Sequence, residues 1–296
     1  MTLPASGPIS LSQVNTELGL SSTANISMGN SNVRTLFGVA SGAISMSNGY
    51  GKANQFTFTV ASNQTNADLR TLAINAGWNQ SSKLVATINS GVYISSNSTG
   101  VSALTISGSF PNGVQLTNNG TIVGMGGAGG RGGGSSAGTA GSAGGTALSV
   151  SSGVTIYNNG TIAGGGGGGG GAIGVGIVDK GGYYYYGGGG GGGGQSSAAA
   201  NSAGGSGGVG NESGLAGGSG TLSGPASGGK TAGTTSGYGG SGGGWGSAGA
   251  TGSSLRASGT VGVQYGPYGG GGGGAAVTGN GNISWGATGT RYGAIS

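Results

Sequence analysis

Between residues 54 and 123 the chain alternates apolar and polar positions. In QFTFTVAS, Phe56, Phe58 and Val60 take turns with Thr57 and Thr59, and KLVATINSGVYISS and SALTISGSF keep the same period. A period of two predicts half-buried strands. NADLRTLAINAGW, which lies between them, breaks the rhythm: Leu69, Leu72 and Ala73 fall on one helical face, and Gly77 is placed to end that helix. Residues 1–53 carry weaker signals of helical spacing. In ISLSQVNTELGL either Ser10 or Ser12 suits an N-cap, and in ISMGNSNVRTLFG the residues Val33, Leu36 and Phe37 share a face. These small helices form a module too short to bury a large core alone, which predicts that it docks on something.

An internal repeat follows. GVQLTNNGTIVGMGG (113–127) is matched by GVTIYNNGTIAGGGG (153–167), each a strand, an Asn-Asn-Gly step, a second short strand and then glycines. Asn-Gly tolerates the positive φ of tight hairpin turns, so the repeat predicts two hairpins, each feeding a glycine tract. A fainter echo, AVTGNGNISWG (276–286), predicts that the C-terminus returns to the same sheet.

Glycine changes the picture for the rest. Of 296 residues 83 are Gly, yet hydrophobic residues make up 33% and charged ones only 4%. Disordered chains stay soluble through charge and low hydrophobicity, so an ordered fold built on glycine is the better expectation. Gly240, Gly243, Gly246, Gly249 and Gly252 recur at every third position, as do Gly126, Gly129 and Gly132. A period of three is that of a polyproline II type helix, whose backbone groups point outward and must pair with neighbouring chains when buried. The expected fold is therefore mainly β and irregular: a small N-terminal helical module (1–53), a β-rich module with one helix (54–123), a bundle of polyglycine II helices with loops at both ends (124–274, with an inserted hairpin at 147–163), and a C-terminal strand segment (275–296) returning to the β module.

Charge and chemistry mainly exclude. The nine basic residues behind the net charge of +5 are scattered, with no cluster to track a phosphate backbone, so no nucleic-acid partner is expected. There is no Cys and no His, and the four carboxylates lie far apart in sequence; neither a catalytic constellation, nor a metal site, nor a cofactor site is expected. G-x-G-x-x-G matches arise by chance in glycine tracts and carry no dinucleotide signal. No apolar run reaches membrane-spanning length, and MTLPASGPIS lacks the pattern of a secretory signal.

Aromatic residues point to binding. Tyr183, Tyr184, Tyr185, Tyr186, Tyr238, Trp245, Tyr265 and Tyr268 border or interrupt glycine tracts. One reading is that they cap the ends of the bundle; the other is a recognition surface, since Tyr offers contact area at low entropic cost while Gly and Ser adapt. Four consecutive tyrosines cannot all face inward. Among the charges of this half (Arg131, Asp179, Lys180, Glu212, Lys230, Arg256), solvated loop positions are expected, with Asp179 and Lys180 of most interest because they share the loop of the tyrosines.

The glycine part resembles the receptor-binding adhesins at the tips of tailed-bacteriophage fibres, on the strength of GTIAGGGGGGGG, YYYYGGGGGGGG and YGPYGGGGGG; ISLSQVNTELGL, SGAISMSNGYGK and GTRYGAIS resemble segments of phage tail and fibre proteins. The resemblance implies a non-enzymatic adhesin of the virion, made in the host cytoplasm and released by lysis. It further implies that the N-terminal module attaches to other tail or fibre proteins, and that a host outer-surface protein or glycan is bound through the loops, here Asp179, Lys180, Tyr183 to Tyr186, Tyr238, Trp245, Tyr265 and Tyr268. An ice-binding protein and a purely structural tail component are the alternatives. The aromatic loops speak against the flat regular face that ice binding requires.

Overall fold

The computed structural model describes residues 3–80, 82–233, 237–254 and 260–296. Among them are three α-helices: α1 (Leu11–Glu17), α2 (Ser31–Phe37) and α3 (Leu69–Asn75). Ser10 is the cap of α1, accepting from the Gln13 backbone N–H at 3.2 Å while its own N–H donates to the Gln13 side chain at 2.8 Å. With Gly38 in the left-handed region after α2, the two helices bury Val14, Val33, Leu36 and Phe37 together with Leu3 and Ile9. Gly49 lies against the Phe37 ring so closely that a Cβ there would sit 2.6 Å from it. Backbone bonds from Leu3 to Lys52 and from Gly51 to Pro4 close this module on itself.

From Gln55 onward the architecture is a parallel solenoid. One five-stranded sheet stacks Gln55–Val60, Lys83–Ile88, Val114–Asn118, Val154–Asn158 and Ile283–Ala287, every neighbour parallel. A second stacks Gln64–Thr65, Tyr93–Ser95, Thr121–Val123, Thr161–Ala163 and Thr290–Tyr292. A third, of four strands, stacks Ala67–Asp68, Leu104–Ile106, Leu148–Val150 and Val277–Thr278. The chain visits the three faces in turn, so each full circuit adds one strand to each sheet and the last adds a strand to the first two. Alternation then makes sense: Leu84, Ala86 and Ile88 point inward, in register with Val114, Leu116 and Asn118 on the next circuit. The inner stacks Ile94, Ile122, Ile162 and Leu104, Leu148, Val277 complete the core. Helix α3, capped by Asp68 and followed by Gly77 at φ 102°, buries Leu69 and Ala73 beside the third face.

These three parallel sheets overturn the expected fold class. The chain is a β-rich fold of parallel sheets, not a polyglycine II helix bundle attached to a small β module. The two Asn-Asn-Gly steps are not hairpin turns either. Val114–Asn118 does not pair with Thr121–Val123; each pairs in parallel with its counterpart in the second copy of the repeat. The glycine is chosen for closeness rather than for positive φ: a Cβ on Gly160 would lie 2.1 Å from the Gly120 carbonyl oxygen, and neither residue is among the glycines with positive φ.

The glycine-rich segments are excursions from this solenoid. Residues 124–147 and 164–276 both leave after a strand of the second face and return to the third. The Gly164–Gly171 tract carries neither helix nor strand and is buried throughout. Its N–H groups turn to different neighbours: Gly165 donates to Gly145 (2.9 Å), Gly166 to Gln195 (2.9 Å), Gly167 to Ser247 (2.9 Å), and Gly168 returns to Ser142 (2.9 Å). Lateral backbone bonds satisfy buried polar groups that no side chain could reach. A Cβ on Gly168 would fall 1.9 Å from the Ala128 carbonyl oxygen.

Candidate functional site

The tracts give this part of the molecule two ends. Gly164 continues from the solenoid strand Thr161–Ala163, whereas Gly171 leads to the strand Gly174–Asp179 at the far end. There a three-stranded antiparallel sheet places Gly174–Asp179 between Gly182–Tyr186 and Val261–Tyr265. Lys180 and Gly181 make its tight turn, with φ of 42° and 87°, the backbone sign that two-residue hairpin loops demand. The loop expected to carry the tyrosines is thus a regular hairpin.

Strand geometry divides the four tyrosines into pairs. Tyr183 and Tyr185 share one face with ring centroids 5.9 Å apart; Tyr184 and Tyr186 share the other at 5.1 Å. The first pair packs closely on glycines: Tyr185 is paired with Gly176, where a Cβ would meet its ring at 2.9 Å, and a Cβ on Gly262 would meet the Tyr183 ring at 2.2 Å. Tyr183 remains 48% exposed, next to Val178 at 49%. The second pair packs on other segments of the chain. The Tyr184 hydroxyl donates to Glu212 Oε1 at 3.3 Å, and the Tyr186 ring covers Gly233. Burial, then the charge of Glu212 and its hydrogen bond, hold the Tyr184 phenol above its ordinary value.

The other expected site residues divide between the two ends. At the far end, Tyr238 is exposed and its backbone is bonded to Ser253. Tyr265 pairs with Gly174 in the sheet, and Tyr268 accepts the Gly138 N–H on its hydroxyl at 2.6 Å, tying two far loops together. Asp179 and Lys180 stand at the hairpin tip, Lys180 exposed. Trp245 sits at the opposite end: its indole donates to the Ser196 carbonyl at 3.0 Å and packs on Tyr292 of the last solenoid circuit at 6.1 Å. Arg131 holds its own turn through Thr139 and Ala137, Lys230 is exposed, and Arg256 lies outside the described residues. Sequence reasoning passed over Asn211 and gave Glu212 no role; no spacing or pattern links them to tyrosines so distant in sequence. It also passed over Val178, Val209, Leu215 and Val261, which bring exposed apolar surface to this part of the chain.

An end that offers rings and aliphatic side chains on a hydrogen-bonded backbone lattice is suited to adhesion. The profile of the phage tail fibre adhesin Gp38 family matches residues 55–296. The chain belongs to that family. The adhesin also resembles a solved chain in the gp37-gp38 adhesin tip complex of the bacteriophage S16 long tail fibre, at 24% identity and a TM-score of 0.56, over 99% of this chain and 100% of that one. That likeness shows a shared fold. No curated protein matches the chain. Receptor binding as a phage tail fibre adhesin is accordingly the chain's function, and family membership speaks for a binding or structural role.

Proposed function

We propose that the adhesin contacts its receptor, a host outer-surface protein or glycan, through the far end, with Tyr183 and Tyr185 as the central platform and Lys180, Val178 and Tyr238 around it. The observation that carries this reading is the close seating of Tyr183 against Gly262 with nearly half its surface free. A ring held this way has little freedom to lose on binding, which is how aromatic anchors gain affinity. Tyr265 and Tyr268 support the loops, and Trp245 fastens the tracts to the solenoid. The N-terminal module is proposed as the attachment to another fibre protein. It has a core of its own and lies outside the residues matched by the family profile, and the similar S16 chain is one member of a gp37-gp38 complex.

The test is adsorption. Particles carrying Tyr183→Ser with Tyr185→Ser should adsorb to host cells at least tenfold more slowly than wild type, with the thermal midpoint of the purified protein nearly unchanged. Normal adsorption by such particles would remove the platform from the site.

A further inference from the structure

The tyrosine strand is gripped from its open side by a turn far away in sequence. Asn211 accepts the Tyr185 N–H on its side-chain oxygen at 2.8 Å. The next residue continues the grip by backbone: the Glu212 N–H donates to the Tyr185 carbonyl at 3.2 Å, and the Glu212 carbonyl accepts from Gly187 at 2.7 Å. Tyr186 and Glu212 form a parallel bridge. Glu212 also takes the Tyr184 hydroxyl, and its second carboxylate oxygen lies near Gly233, the glycine that the Tyr186 ring also approaches. The hairpin edge that would otherwise offer free backbone groups is thereby occupied, and the face opposite Tyr183 and Tyr185 is anchored.

We infer that Asn211 and Glu212 are positioning residues for receptor recognition, setting the orientation of the Tyr183 and Tyr185 platform without touching the receptor themselves. Specificity then belongs to a composite of the hairpin 174–186 and the turn 209–212, and neither carries it alone. This inference rests on the far-end reading given above. Its physical basis is that a lost Asn211 acceptor leaves the Tyr185 N–H to water, and a lost Glu212 carboxylate frees the Tyr184 ring to rotate, so the strand bearing the platform samples more conformations before binding. Each hydrogen bond of this kind changes an equilibrium roughly two- to tenfold.

The experiment is a double-mutant cycle read on adsorption rate. Asn211→Ala and Glu212→Ala should each slow adsorption roughly two- to tenfold, the expected effect of one lost bond. Asn211→Asp and Glu212→Gln, which keep an acceptor in place, should restore it. Tyr184→Phe should slow adsorption as Glu212→Ala does, and the pair together should be no slower than either alone, because both remove the same bond. Additive effects of Tyr184→Phe and Glu212→Ala, or failure of the conservative variants to rescue, would overturn the inference. The outcomes separate from those of the platform test. If the tyrosine double variant fails to adsorb while Asn211→Ala and Glu212→Ala adsorb like wild type, only the positioning role is lost. If the tyrosine double variant adsorbs normally, the site itself is wrong.

Discussion

Asn118 donates its side-chain amide to the side-chain oxygen of Asn158 at 2.8 Å, one solenoid circuit away and out of contact with water. The same Asn118 accepts the Gly120 N–H on its oxygen at 3.1 Å, and Asn158 passes its amide on to the Thr288 carbonyl at 2.8 Å. The first Asn of each Asn-Asn-Gly step therefore turns inward to satisfy the corner where the chain passes from the first face to the second. On the outside the next pair bonds in the opposite sense, Asn159 donating its side-chain amide to the Asn119 side-chain oxygen at 2.9 Å.

Asn118→Ala should consequently cost about 2 kcal/mol or more, since it leaves a buried N–H at Gly120 and a buried oxygen on Asn158 without partners. Asn119→Ala, at the exposed rung of the ladder, should cost under about 1 kcal/mol. Chemical denaturation of the two variants checks the ordering, and equal losses would contradict the inward and outward roles.

This corner shows why the fold was only partly legible. The strand positions, α3 with its Gly77 stop and the repeat itself are local signals, and they stand in the structure where their residues predict, with Ser10 rather than Ser12 taking the cap of α1. What decides between a hairpin and a solenoid circuit is whether a strand bonds to its neighbour in sequence or to its counterpart in the next copy of the repeat, and Asn-Asn-Gly suits either. Period three in glycine drew attention to one kind of helix and away from the short strands that set the architecture. At the site, the run Tyr183 to Tyr186 announced itself, whereas Asn211 and Glu212 meet it only through the return of a distant tract.

Glycines of the tracts should differ sharply in tolerance. A Cβ on Gly168 meets a backbone oxygen at 1.9 Å, while Gly272 has nothing within 4 Å and lacks a positive φ. Gly168→Ala should destabilise by at least about 3 kcal/mol, because neighbouring backbones on several sides would have to part. Gly272→Ala should be neutral or stabilising by about 0.5 kcal/mol through the entropy of the unfolded chain. Thermal unfolding of both variants measures the contrast.

Trp245 separates stability from recognition. Its indole bond to Ser196 and its contact with Tyr292 join a tract end to the last solenoid circuit, at the opposite end from Tyr183. Trp245→Ala should lower stability by about 2 kcal/mol, a half-buried share of the loss usual for a large aromatic. Adsorption measured well below the melting midpoint should stay at the wild-type rate. A large adsorption defect in a folded Trp245→Ala protein would extend the site to the near end.

The last circuit ends a stack of sheets in which, among the described residues, Ile283–Ala287 and Thr290–Tyr292 have no strand on their outer side. Ile94, Ile122 and Ile162 form an inner column, and in register with them on the last circuit stands Arg291. Its guanidinium lies 4.9 Å from the centre of the Trp285 ring, and the Trp285 indole is in turn fixed to Asn280 at 2.9 Å. A charge at the end of an apolar column is a device against edge-to-edge pairing, because a second solenoid stacked there would have to bury it. Arg291→Leu should therefore change monomer stability by only about 1 kcal/mol, the worth of the lost cation–π contact set against the gain in apolar surface. Its visible effect should be association: light scattering should report a concentration-dependent rise in mass for Arg291→Leu and none for Arg291→Lys, which keeps the charge. A monomeric Arg291→Leu protein at high concentration would show that the edge is guarded by something other than this cation.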